Sequence, residues 1–154
     1  MADILGGYAF KSKNYSSEGY RIIRISDFSE SLSNEHKIYY PYDSSLKKYI
    51  IKNNDILIAM TGGTVGKSIL LRNVKKPLLL NQRVGRIRAN SFVLPKFLIT
   101  FFKSPLFIKK VYQSKNSMNE NISLKFLKNC EVPIPPLNEQ SKIINIVEKV
   151  IQLL

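Results

Sequence analysis

Between residues 20 and 89 this chain is cut into six short runs of strand length, none long enough for a helix of ordinary size. They cover residues 20–26, 49–51, 55–60, 68–72, 78–80 and 84–89, and are rich in apolar and β-branched residues. Turn material such as Asn53-Asn54 and Thr61-Gly62-Gly63 separates them. The first half is therefore predicted to be mostly β. After residue 94 the pattern changes. Pro95 is a good first-turn residue for a helix to about residue 103, and Pro105 for another to about residue 114. Residues 116–121 read as loop, Ser123 caps a short helical turn through Leu127, and residues 131–134 read as an extended segment stopped by Pro135-Pro136. The 154 residues suit one mixed α/β (α+β) domain with a short appendage.

That appendage is residues 137–154, predicted helical, which leaves residues 1–136 as the domain proper. Its apolar positions Ile143, Val147, Val150 and Leu154 step by four, three and four, the rhythm of a coiled-coil seam, and Ile146 and Ile151 widen the stripe. A helix of this length is marginal in isolation, so the stripe must pack on the core or on a partner helix.

Charge is distributed unevenly. Twenty-four Lys and Arg against eleven Asp and Glu leave +13. Residues 1–60 hold eight bases and seven acids, residues 61–130 fourteen bases and one acid (Glu120), and residues 131–154 two bases and three acids. A coding bias toward lysine would raise it everywhere. Confinement of the surplus to one stretch points instead to a polyanionic partner, with nucleic acid as the default. The expectation is one continuous cationic face that docks against a duplex.

Several other functions are poorly supported. One cysteine and one histidine (Cys130, His36) exclude a disulfide scaffold, a cysteine-ligated zinc site and a His-rich metal centre. No apolar run approaches the ~20 residues that cross a bilayer. The N-terminal stretch carries Asp3 rather than a basic, apolar leader, so a cytoplasmic protein without membrane contact is expected. Residues 61–68 imitate a phosphate-binding loop, but three residues rather than four separate Gly62 from Gly66. A β-branched run then follows Lys67 where a helix is required. Such a loop can still approach a nucleic-acid phosphate. No Asn-Pro-Pro-aromatic element and no glycine-rich turn after a first strand is present, so neither methyl transfer nor a cofactor is expected. Asp27 with Glu35 and Lys37 resembles the carboxylate set of some metal-dependent nucleases, for which a solvated loop is the better account.

The basic residues suggest readout instead. Arg83, Arg86 and Arg88 stand close to Asn81 and Gln82, and Arg and Gln can each make two hydrogen bonds to a base edge. In an extended strand Arg86 and Arg88 share a face with Val84, and Arg83 lies on the other; Arg21 and Arg24 fall on opposite faces of theirs. With a single acid in residues 61–130, surface ion pairing is a weak explanation for the arginines there. Tyr39, Tyr40 and Tyr42 can stack on bases, but packing against a sheet is favoured for at least two of them.

Separated pieces then align with one family. Gly7-Tyr8-Ala9-Phe10-Lys11-Ser12, Gly19 and Arg24-Ile25-Ser26-Asp27 resemble the opening of the target-recognition domain of type I restriction–modification specificity subunits. Asp55-Ile56-Leu57-Ile58-Ala59-Met60-Thr61-Gly62 with Gly66-Lys67 is similar to its mid-domain signature, and Asn81-Gln82 to its next marker. Ile122-Ser123, then Val132-Pro133-Ile134-Pro135-Pro136-Leu137 and Glu139-Gln140, resemble its exit into a helix. The pieces keep their order over residues 7–151.

The resemblance implies a non-catalytic subunit that reads double-stranded DNA, built on an α/β fold with a strongly twisted sheet. It also implies two recognition domains per subunit, each reading half of a split target. Long helices join them and hold methyltransferase (M) subunits, with restriction (R) subunits as further partners. The expected DNA contacts are Lys11, Lys13, Arg21, Arg24, Thr61, Gly62, Lys67, Gln82, Arg83, Arg86 and Arg88; the terminal helix is the expected assembly element and the start of a coiled-coil arm. This chain departs from the pattern in carrying one recognition domain, a helix of about five turns, and no stretch ahead of Ala2. The open alternatives are a half-subunit that forms a homodimer, a truncated remnant acting mainly through its helix, and the metal-dependent nuclease.

Overall fold

The computed structural model describes residues 2–28, 32, 36–114 and 121–153. Among these, strands β1 (Ala2–Gly6), β5 (Ile56–Ala59), β6 (Ser68–Leu70) and β8 (Val84–Ala89) form an antiparallel sheet in the order β1–β8–β5–β6. Strands β2 (Tyr20–Ile23), β3 (Ile38–Tyr40), β4 (Ile50–Ile51) and β7 (Leu78–Leu80) form a second sheet in the order β3–β2–β7–β4, with only β2 and β7 parallel. Helices α1 (Pro95–Lys103), α2 (Pro105–Ser114), α3 (Leu124–Lys128) and α4 (Leu137–Gln152) follow. The mixed α/β class is as predicted.

Strand β5 explains the layering. All four of its residues are buried, alternating between two cores. Ile56 and Ile58 join Ile87, Phe97, Phe102, Phe107 and Leu127 between the first sheet and the helices. Leu57 and Ala59 join Ile23, Ile51, Leu78 and Leu80 between the two sheets. Beyond the second sheet, Leu79 and Ile22 are covered by Phe10, Tyr40 and Leu46. Both faces of β5 and β7 are thus covered, so these strands read as continuous apolar runs rather than alternating ones.

The helices begin where local signals place them. Pro95 occupies the first turn of α1, and Ser123 Oγ accepts the Phe126 N–H at 3.0 Å to cap α3. Gln140 fixes the start of α4: fully buried, it accepts the Leu94 N–H at 2.8 Å and donates to Phe92 O at 3.0 Å and Pro135 O at 2.8 Å. One turn on, Ile144 enters the core. The helix therefore packs through Gln140 and Ile144. On the seam expected from the sequence, Ile143, Ile146, Val150 and Ile151 are exposed and Val147 is half-buried. Leu154 lies outside the described residues.

Two local expectations need correction. The chain opens with a strand, β1, paired along β8, where the sequence suggests only a loop from Gly6-Gly7. At Gly7 the backbone passes so close to Asn81 that a Cβ would sit 2.0 Å from its carbonyl oxygen. The run 20–26 is strand only to Ile23 and turns into a 3₁₀ segment, Ile25–Asp27. Tyr40 lies in the core, its ring 4.8 Å from that of Phe10, whereas Tyr42 is partly exposed against Tyr20. Of the loop expected at 116–121, all but Asn121 lies outside the described residues.

Candidate functional site

The residues expected to meet a polyanion divide among three places. The first is the end of the first sheet where β5 stops. The glycine-rich segment is a hairpin loop: Gly66 N–H donates to Ala59 O and Ala59 N–H to Lys67 O, both at 2.9 Å. Gly66 makes this closure at φ +86°, a conformation that disfavours any side chain. Strand β6 follows directly, so the segment is no phosphate-binding loop of the nucleotide-hydrolase kind. Lys67 Nζ donates to Phe28 O at 2.9 Å, and the buried Thr61 Oγ1 has no hydrogen-bond partner among the described residues. Beside this loop lies the turn between β7 and β8, tied to it through Met60 N–H and Arg83 O at 3.0 Å. Gln82 and Arg83 are exposed at that turn. Thr61, Gly62, Gln82 and Arg83 are thus neighbours.

The second place is the strand arginines. Arg86 and Arg88 do share one face of β8, but that face is turned onto acids. Arg86 is 4% exposed, paired with Asp3 and donating to Lys48 O at 3.0 Å. Arg88 holds Asp55 through Nε–Oδ1 at 2.6 Å and Nη2–Oδ2 at 2.7 Å. This hydrogen bond raises the Arg88 pKa above its ordinary value, against the opposing effect of burial. Expected as a base contact, Arg86 instead turns its guanidinium toward Asp3 and Lys48 O. Scarcity of acid inside residues 61–130 does not leave Arg86 and Arg88 unpaired, because the sheet brings Asp3 and Asp55 alongside from elsewhere. Lys96 likewise meets Glu148 at 2.9 Å. Arg21 and Arg24 do not diverge either. With the strand ended at Ile23, both reach the buried Asp27, at 3.4 and 3.7 Å, and Arg24 N–H donates to the same carboxylate at 2.7 Å. Asp27 is therefore engaged. Glu35 lies outside the described residues, among which no His, Cys, Asp and Glu group is placed to hold a metal.

The third place is largely absent from the sequence-based expectations. A cleft of about 930 Å³ opens between β2, β3 and the connection from β6 to β7. Arg21, Lys37, Arg72, Lys75 and Lys76 line it, with no acid among the described lining residues, and Arg21 is paired with Asp27. The connection is held from below by the Asn53-Asn54 turn: Asn53 Oδ1 accepts the Val74 N–H at 2.7 Å and Asn54 N–H donates to Leu71 O at 2.9 Å. Asn54 does so at φ +67°, a left-handed conformation that asparagine tolerates. Of the expected contacts only Arg21 lies in this cleft; Lys11 and Lys13 sit on an exposed turn near Ser12 instead. A signal was present in Arg72-Asn73-Val74-Lys75-Lys76, a local basic run between two strand-length segments.

Over residues 1–154 the sequence matches the family model of the type I restriction modification DNA specificity domain. The chain belongs to this family. As a specificity domain it is 30% identical, over 158 residues, to the specificity subunit of the type I restriction enzyme EcoAI of Escherichia coli, covering 97% of this chain and 27% of that subunit. With the EcoKI specificity subunit of Escherichia coli K12 the identity is 28% over 97% of this chain and 34% of the relative. With the MjaVIII specificity subunit of Methanocaldococcus jannaschii it is 26% over 91% and 35%. The specificity domain thus spans roughly a third of the length of these relatives.

Among solved structures, the HsdS subunit from Thermoanaerobacter tengcongensis matches 99% of the chain and 35% of its own with a TM-score of 0.76 at 19% identity. The S subunit from M. genitalium matches 98% and 37% with a TM-score of 0.64 at 17% identity. At such identities the likeness is one of fold. No helix among the described residues is long and apolar enough to cross a membrane.

Proposed function

We propose that this specificity domain binds double-stranded DNA and reads sequence in it, as a recognition component of a type I restriction–modification assembly that leaves bond chemistry to other subunits. The observation that carries the reading is the basic cleft of Arg21, Lys37, Arg72, Lys75 and Lys76. A duplex presents one negative charge per ~1.7 Å of axis, and a cleft lined by several cations is what such a surface attracts. Phosphate contacts of this kind set register without choosing sequence.

Base choice is assigned to the other end of β5. Arg83 has the fork for a guanine edge and Gln82 for an adenine edge, and both stand exposed beside Thr61 and Gly62. From the cleft end at Asp55 to Met60 the strand direction covers about 17 Å at ~3.4 Å per residue. That is about half a turn of duplex, so one DNA segment reaches both places. Lys11, Lys13, Arg24 and Lys67 are assigned flanking phosphate contacts. The exposed stripe Ile143, Ile146, Val150 and Ile151 of α4 is assigned to a partner helix, from a second copy or from the methyltransferase-bearing assembly.

Fluorescence anisotropy over a salt series tests the reading. The triple variant Arg72→Ala, Lys75→Ala, Lys76→Ala should bind all duplexes more weakly, with its log–log salt slope flatter by about 2.7, roughly 0.9 for each phosphate no longer neutralised. Selection from a random duplex pool should return one short motif. A pool that emerges unenriched overturns sequence reading, and an unchanged slope overturns the role of the cleft.

A further inference from the structure

We propose that a second cleft, at the opposite edge of the two sheets, binds a phosphoryl oxyanion. It lies where β1, β4 and β8 meet, with a volume of about 400 Å³. Lys47, Lys48, Lys52, Arg86 and Arg88 line it, and Asp3 is the single acid in the lining. Asp55, behind it, neutralises Arg88. Among the described residues no ion pair engages Lys47, Lys48 or Lys52. The cleft therefore carries an uncompensated positive charge.

The second observation is the state of Arg86. Its side chain is 4% exposed, yet Nε is buried without a hydrogen-bond partner among the described residues. Buried donors are rarely left unpaired, and an oxyanion has acceptors to spare. The carboxylate now beside it belongs to Asp3, whose side chain is 63% exposed. A carboxylate so exposed is weakly held against water. A phosphoryl group, with more charge and three acceptor oxygens, can displace it, drawing on Arg86 and the three lysines together.

This site is distinct from the basic cleft of Lys75 and Lys76 and stands without the DNA reading. Strands β1 and β4 are edge strands, and β6 and β3, beside the first cleft, are the opposite edges. No side chain lines both clefts, so the two sets of cations are separate. The phosphoryl group belongs either to a nucleic-acid backbone or to a free phosphorylated ligand.

The test is an NMR titration of the full chain with inorganic phosphate, against sodium chloride of equal ionic strength, reading the Arg86 Nε–H and the Lys47 and Lys48 amides. Phosphate should give saturable shifts that chloride does not. In the variant Lys47→Ala, Lys48→Ala, Lys52→Ala, whose lysines are exposed, binding should weaken roughly tenfold as close attraction is lost. Asp3→Asn should tighten it several-fold by removing the resident carboxylate. Shifts that follow ionic strength alone, or that persist unchanged in the lysine variant, overturn the proposal. A duplex arm separates the sources. If phosphate binds and duplex also moves Arg86 Nε–H, the ligand is backbone. If phosphate binds while duplex moves only the Lys75 and Lys76 amides, it is a free phosphorylated molecule. Duplex failing to move Lys75 and Lys76 counts against the DNA reading alone.

Discussion

Arg88 and Asp55 form a two-point ion pair, at 2.6 and 2.7 Å, that ties β8 to the turn before β5. Asp55 is fully buried and also accepts the Lys52 N–H at 2.7 Å. Its backbone carbonyl takes the Leu71 N–H at 2.9 Å, at the start of the connection that forms the basic cleft. One residue thus joins the sheet core to the segment assigned to DNA.

Removing the arginine leaves a buried carboxylate without its cation, so Arg88→Ala should lower stability by about 3–5 kcal/mol in urea unfolding. Arg88→Lys should recover only part of that, since an ammonium cannot make two parallel bonds. A loss below about 1 kcal/mol would place the pair among surface ion pairs instead.

Asn53→Ala should separate cleft geometry from stability. The bond from Val74 N–H to Asn53 Oδ1 is exposed, so its loss should cost only about 1 kcal/mol in unfolding. Duplex affinity should nonetheless fall, because Lys75 and Lys76 then sit on a looser connection. Equal affinity in the variant and the parent would mean that the cleft is not held from this turn.

Local signals were legible and long-range ones were not. Pro95, Pro105 and Ser123 mark helix starts by chemistry within one turn, and α1, α2 and α3 begin there. The shared face of Arg86 and Arg88 follows from the period of two in a strand. Their partners are not legible that way, because Asp3 and Asp55 lie 83 and 33 residues distant in sequence. Strand β1 escapes for the same reason, being held by register with β8 rather than by a pattern of its own. The basic cleft is assembled from residues around 21, 37 and 72–76, which only the second sheet and its connections bring together. Within α4 the stripe expected as a seam is mostly exposed, while Gln140 and Ile144 turn to the core.

Cys130 offers a pH test. It lines an apolar cleft with Leu98, Phe102 and Leu127, and burial raises its thiol pKa above the ordinary 9.0, opposed by Lys110 and aided by Glu131. Iodoacetamide at pH 8 should therefore modify it more slowly in the folded chain than in urea. Because the folded value is the raised one, this thiol's contribution to stability is complete below 9.0 and is lost as pH climbs through the folded value. Cys130→Ser should remove that part of the alkaline decline; an identical decline would assign it to other groups.

The exposed stripe of α4 predicts association. In sedimentation equilibrium the chain should self-associate with rising concentration, or bind a methyltransferase subunit. Ile146→Asp with Val150→Asp should abolish either while leaving the unfolding curve within about 0.5 kcal/mol, as expected for exposed positions. Association that survives both changes would locate the interface on another face.

The most direct measurement of the central claim is lysine acetylation of the folded domain with and without duplex, read by mass spectrometry. Duplex carrying the selected motif should protect Lys37, Lys75 and Lys76 in the basic cleft and leave Lys149 on α4 reactive. Protection of Lys149 with full reactivity at Lys75 and Lys76 would contradict the account.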